Sequence, residues 1–114
     1  MASIIMTLPV LPGKVEQARQ FGQAKAGPRL RELDAANRRY GLTREVWQLQ
    51  EGPEGPTLLV YGEAPDLAEF FRAYAAADGP FERWEKQQIK EFSGLDLNAP
   101  MTGPLPETLF EWQA

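Results

Sequence analysis

Residues 41–64 read GLTREVWQLQEGPEGPTLLVYGEA, and this stretch decides the fold. Thr43 to Gln50 and Thr57 to Glu63 are rich in residues that suit a pleated, half-buried surface, Val46 and Trp47 in the first run, Leu58, Leu59, Val60 and Tyr61 in the second. Between them Glu51-Gly52-Pro53-Glu54-Gly55-Pro56 carries two prolines and two glycines, which cannot continue a ladder, so the chain turns there. Side chains alternate between the two faces of a strand. Pairing Gln50 with Thr57 sets Leu49 opposite Leu58, Trp47 opposite Val60 and Glu45 opposite Gly62, a mostly apolar face. The other face pairs Gln48 with Leu59, Val46 with Tyr61 and Arg44 with Glu63. A slip of one residue places Glu45 opposite Glu63, and like charges in that position destabilise a sheet. The first register is therefore the expected one, with Arg44 and Glu63 as a cross-strand ion pair.

Outward from the hairpin, Ser3 to Val10 alternates as a first strand, with Ile4, Met6, Leu8 and Val10 on one face. Pro12-Gly13 stops it. A helix is predicted from Lys14 to Ala26, with Val15, Ala18, Phe21 and either Ala24 or the stem of Lys25 on its inner side. Gly27-Pro28 breaks the pattern, since proline inside a helix costs about 3 kcal/mol but is welcome in a first turn. A second helix then runs to Tyr40, with Gly41 as its left-handed stop. Beyond the hairpin, Asp66 is an N-cap with Glu69 completing a capping box, and Leu67, Phe70, Phe71 and Tyr74 form the apolar face of a helix. Asp78-Gly79-Pro80 ends it and starts another, carrying Phe81, Trp84, Gln88 or Ile89, and Phe92 and closed by Gly94. Leu95 to Pro106 is an irregular arm. Thr108 to Gln113 alternates as a last strand, with Phe110 and Trp112 on one face.

This order is that of a ferredoxin-like βαββαβ domain, an α+β fold spanning residues 1–114: a four-stranded antiparallel sheet with broken helices on one face. The other sheet face carries Ile5, Val46, Leu59 and Tyr61, which is too apolar for water, so a homodimer packed sheet to sheet is expected.

Composition narrows the chemistry. The chain has 114 residues, no cysteine and no histidine, and a formal charge of −4. A thiolate nucleophile, a disulfide, a Ser-His-Asp triad, an axial haem histidine and most transition-metal sites are thereby excluded. The acidic balance argues against nucleic acid as a partner. No apolar run reaches the ~18 residues of a membrane span, and the N-terminus lacks the basic start of a signal peptide. A cytoplasmic location without a membrane partner is expected. Lys14, Arg19, Lys25, Arg29, Arg31, Arg38 and Arg39 are interleaved with acids and read as a solvated helical surface.

The combination GLTREVWQLQ, TLLVYGEA, DGPFERWEKQQIKEFSGLDL and GPLPETLFEW resembles a set of small bacterial proteins of unknown function in the dimeric α/β-barrel superfamily. The resemblance covers nearly the whole chain, and Asp78 to Trp84 is its most particular element. It implies a homodimer. It also implies kinship with cofactor-free monooxygenases, haem-degrading enzymes, muconolactone isomerase-like enzymes and stress proteins, whose chemistries are not shared. The haem branches need an axial histidine that this chain lacks.

Three groups of residues are candidates for a site. Arg44, Gln48, Tyr61 and Glu63 could hold an anionic or phenolic ligand, with Glu63 as a base; structurally they are a cross-strand pair beside interface filling. Trp47, Phe71, Tyr74, Phe81 and Trp84 could line a cleft for a flat ligand; structurally they are core aromatics at helical spacing. Asp66 with Glu69, or Asp78 with Glu82, could bind a hard cation, but capping accounts for both aspartates and no metal is expected. The ligand-binding set is thus Arg44, Trp47, Tyr61, Glu63 and Trp84, with no cofactor. Two functions of different class follow: a homodimer that binds a small aromatic or amphipathic molecule between sheet and helices, or a cofactor-independent enzyme of the monooxygenase or isomerase kind.

Overall fold

Along the chain run β1 (Ala2–Pro9), α1 (Val15–Ala26), α2 (Leu30–Tyr40), β2 (Arg44–Gly52), β3 (Gly55–Ala64), α3 (Leu67–Ala76) and α4 (Pro80–Ser93). The computed structural model describes residues 1–99 and 103–114; positions 100–102 of the expected irregular arm lie outside them. The hairpin adopts the register that its charges favour, Arg44 opposite Glu63 and Gln50 opposite Thr57. Pairing continues further than the prolines suggested, through Glu51–Pro56 and Gly52–Gly55. Pro53 and Glu54 alone make the turn, and Gly55 closes it at φ 103°, a backbone state open to glycine.

β3 is the middle strand. β1 pairs with it antiparallel on the side away from β2, giving the order β1-β3-β2. The apolar residues of alternate positions, Ile4, Leu8, Leu58 and Val60, are buried beneath the helices. Phe21 of α1 and Ile89 and Phe92 of α4 pack on them. A second cluster joins Ile4 and Ala64 to Leu67 at the start of α3, and a third joins Ala36 and Tyr40 of α2 to Phe81 of α4.

The helix boundaries follow their local chemistry. The chain breaks at Gly27–Arg29 between α1 and α2, and Gly41 ends α2 in the left-handed region at φ 80°. Asp66 caps α3 by accepting a hydrogen bond from the Glu69 amide at 3.0 Å. The capping box is only half formed, because the Glu69 carboxylate turns to Arg72 instead. Pro80 opens α4 at a first-turn position, where its missing N–H costs nothing.

The fourth strand is absent. Thr108 to Gln113 forms no strand, and Leu109, Phe110 and Trp112 lie in solvent. Alternation alone does not make a strand, because strand preference is mostly the value of packing against neighbours. After Gly94 the chain is tied down by Leu97, which packs against the main core, and the segment at 103–114 is exposed and forms no strand. The fold is therefore α+β with the order βααββαα and, among the described residues, a three-stranded antiparallel sheet. The ferredoxin-like βαββαβ expectation is corrected, and a dimeric α/β barrel built on four strands falls with it.

Candidate ligand-binding cavity

Helices cover the sheet incompletely. Between the sheet and the α3–α4 pair lies a cavity of about 580 Å³. Its floor is Ile4, Met6, Glu45, Trp47, Val60 and Gly62, and its roof is Phe70, Phe71 and Tyr74 of α3 with Glu85 and Ile89 of α4. The exposed Leu95 and Asp96 mark the rim. Gly62 contributes to the space by having no side chain. An added Cβ would meet Leu42 Cδ1 at 3.5 Å and Ile4 Cγ2 at 3.8 Å, ordinary contact.

A polar cluster stands at one end of this apolar space. Lys25 projects from the inner face of α1 and is only 6% exposed. Its Nζ lies 2.9 Å from Glu85 Oε2 and 3.5 Å from Glu45 Oε2. Tyr74 donates to Glu85 Oε1 at 2.6 Å. Asn37 donates to Glu45 Oε1 at 3.3 Å and the Trp47 indole N–H to Glu45 Oε2 at 3.2 Å. The ammonium also faces the Phe21 and Trp47 rings at 4.9 and 5.0 Å. Each buried charge is thus paired and hydrogen-bonded, the condition under which charge is tolerated inside a protein. Burial, then the charge of Glu85 and its hydrogen bond, push the Tyr74 phenol far above its usual pKa, so Tyr74 is a donor throughout the physiological range.

A neighbouring layer supports this cluster. Lys86 Nζ donates to the carbonyls of Ala77 at 2.7 Å and Ala75 at 3.3 Å, satisfying acceptors at the end of α3. Burial holds its ammonium below the usual lysine pKa. Glu82 is buried and pairs with Arg39 at 2.9 Å. The Tyr40 hydroxyl is buried with no hydrogen-bond partner among the described residues. Its pKa is raised by burial first and then by the charges of Glu82 and Glu85, the Glu82 carboxylate lying close to the hydroxyl but outside good hydrogen-bond geometry.

Of the residues singled out from sequence, Trp47, Tyr61, Phe71 and Tyr74 border the cavity. Arg44, Glu63 and Trp84 do not. The Arg44 guanidinium lies 5.9 Å from the Tyr61 ring centroid rather than on the Glu63 carboxylate. The Glu63 carbonyl accepts from Thr43, and its strand faces away from the helices at that position. Trp84 stacks on Phe21 at 5.3 Å and packs near Phe81 at 5.8 Å, with the Arg29 guanidinium 4.1 Å from its ring. Trp84 and Trp47 pack against the same core cluster, and Phe21 lies between them, meeting Trp47 edge-on at 5.5 Å.

Sequence reasoning missed Lys25, Asn37, Glu45, Glu85 and Asp96. Lys25 is no part of a solvated surface; it follows Ala18 and Phe21 at the spacing of the buried stripe. Glu85 lies four residues after Phe81 and four before Ile89, both buried, so that spacing was the available signal. Among the described residues, no three acidic side chains converge closely enough to hold a metal ion. No helix there is long and apolar enough to cross a membrane. No known protein family, curated protein or solved structure matches the chain, so the likeness to dimeric α/β-barrel proteins gains no support from these comparisons.

Proposed function

We propose that this protein binds a small amphipathic molecule with an aromatic or otherwise flat body in the cavity between the sheet and α3–α4. The observation that carries this reading is the cavity itself. At about 580 Å³ it falls in the ~300–1,000 Å³ range of small-molecule sites. Its wall is apolar and aromatic, and a few convergent polar groups stand at one end, the usual composition of such sites. Native mass spectrometry of protein purified without denaturation tests it. A retained small molecule supports the reading; a bare chain that also fails to bind apolar aromatic probes contradicts it.

One observation favours a second reading, a cofactor-independent enzyme of the isomerase kind. Glu85 borders the cavity while holding a hydrogen bond from Tyr74, so its carboxylate can take a proton from a carbon beside a carbonyl and return it elsewhere on the substrate. Deuterium incorporation into enolisable aryl ketones, lost in Glu85→Gln, is its test.

The cavity reading includes a homodimer in the cytoplasm. Ile5 is 69% exposed on the helix-free sheet face, beside the half-buried Val46, Leu59 and Tyr61, and a second copy would cover this patch.

A further inference from the structure

We infer that the ligand of this cavity is an organic cation, an ammonium group carried on an apolar, aryl-sized body. The inference rests on the proposed binding function and specifies its chemistry. Three carboxyl groups border the cavity, those of Glu45, Glu85 and Asp96, and among the described residues no lysine or arginine does. Of the two ammonium groups nearby, Lys25 borders a second and more open groove on the far side of Glu45 and Trp47, and Lys86 is held by the Ala75 and Ala77 carbonyls at the end of α3. Lys25 neutralises the buried pair from behind, so three carboxyl groups stand against two cations, neither of which borders the cavity. Each carboxylate oxygen accepts more than one hydrogen bond, so Glu45 and Glu85 retain acceptor capacity beyond the partners already described. The Asp96 carboxyl accepts from the Asn98 amide at 2.9 Å, which holds its pKa below the usual value and keeps it anionic at the rim. The wall opposite is aromatic, Phe70, Phe71 and Tyr74 facing Trp47, and ring faces attract a cation as well as an apolar body. A bare metal ion does not suit the site, because the three carboxyl groups do not converge on one point. An anion would face these carboxylates, because the donors of the wall, Asn37, Tyr74 and the Trp47 indole, are already engaged by Glu45 and Glu85.

The test is calorimetric titration of the full chain with three probes that share an aryl-alkyl body: phenethylammonium, phenethyl alcohol and hydrocinnamate. The ammonium is expected to bind about tenfold or more tighter than the alcohol, as a charge-assisted hydrogen bond allows, and the carboxylate least of all. Asp96→Asn, at an exposed position that the fold does not need, and Glu45→Gln should each weaken the ammonium about three- to tenfold and leave the alcohol unchanged. If the alcohol or the carboxylate binds as tightly as the ammonium, the cationic assignment is overturned while the cavity remains a binding site. If none of the three binds, the binding function fails and the assignment with it. A weakening of ammonium and alcohol alike in Asp96→Asn would show that the carboxyl group shapes the rim and does not read charge.

Discussion

Lys25 of α1 and Glu85 of α4 form a buried ion pair, Nζ to Oε2 2.9 Å, with both side chains 7% exposed. The two residues lie 60 positions apart in the sequence, so the pair ties α1 to α4. It also fixes the carboxylate that borders the cavity. A buried pair is weak evidence for net stability, but removing one partner strands the other. Lys25→Met is therefore expected to cost about 3–5 kcal/mol in chemical denaturation. Lys25→Met combined with Glu85→Leu should recover most of that loss. A single variant as stable as wild type would mean that the pair is not closed in solution.

Tyr74 and Tyr40 have opposite expectations. Tyr74→Phe removes the 2.6 Å donor from the buried Glu85 and should cost about 1–3 kcal/mol. Tyr40→Phe removes a hydroxyl that is buried without a partner and should be neutral or stabilising by up to about 1 kcal/mol. Equal losses in the two variants would show that Tyr40 has found a partner.

Both phenols also set the response to alkali. Tyr40 and Tyr74 have pKa values raised above the usual 10.0 by burial and by nearby carboxylates. The unfolded chain gives up these protons near pH 10 and the folded chain does not. Their contribution is therefore fully present below pH 10.0 and declines above it, as only the unfolded state ionises. Lys86, held below its usual 10.5, acts in the opposite sense and its effect is complete by that pH. An ultraviolet titration should show these two tyrosines ionising only as the protein unfolds. Ionisation of all three tyrosines near pH 10.0 with the fold intact would contradict the burial described.

Much of this was legible in the chain, and the failures have a common cause. Register came from the signs of Arg44, Glu45 and Glu63, because sheet pairing brings charges face to face. Helix ends came from Gly41, Asp66, Pro80 and Gly94, whose backbone preferences act locally. The last strand failed because strand formation needs a partner edge, and Thr108 to Gln113 pairs with none. The site was missed because charge was equated with solvent. Arg83 and Glu85 both flank Trp84, yet Arg83 is exposed and Glu85 buried, so charge alone does not mark the outer face of α4. Sequence spacing shows which face a residue occupies, but not whether a partner 60 residues away will neutralise it.

Trp84 is read as core. Trp84→Ala should cost about 3 kcal/mol, the lower end for a large aromatic because the ring is half-buried, and should leave probe binding in the cavity intact. Loss of binding at full stability would move the site towards Trp84.

The homodimer is tested by light scattering at tens of micromolar (roughly where a standard-size interface holds). A dimer is expected in wild type, and Leu59→Glu should yield monomer. A monomeric wild type would remove the sheet-face interface.

The most direct test of the binding claim fills the cavity. Gly62 borders it, its backbone is unstrained, and a Cβ there meets only ordinary contacts, so a side chain introduced by Gly62→Leu starts without a clash and is directed at the ligand's space. Saturation-transfer NMR with phenethylammonium is then run on wild type and variant, with circular dichroism to confirm the fold. The account predicts transfer in wild type and none in Gly62→Leu. Equal transfer in both, or none in wild type, would contradict it.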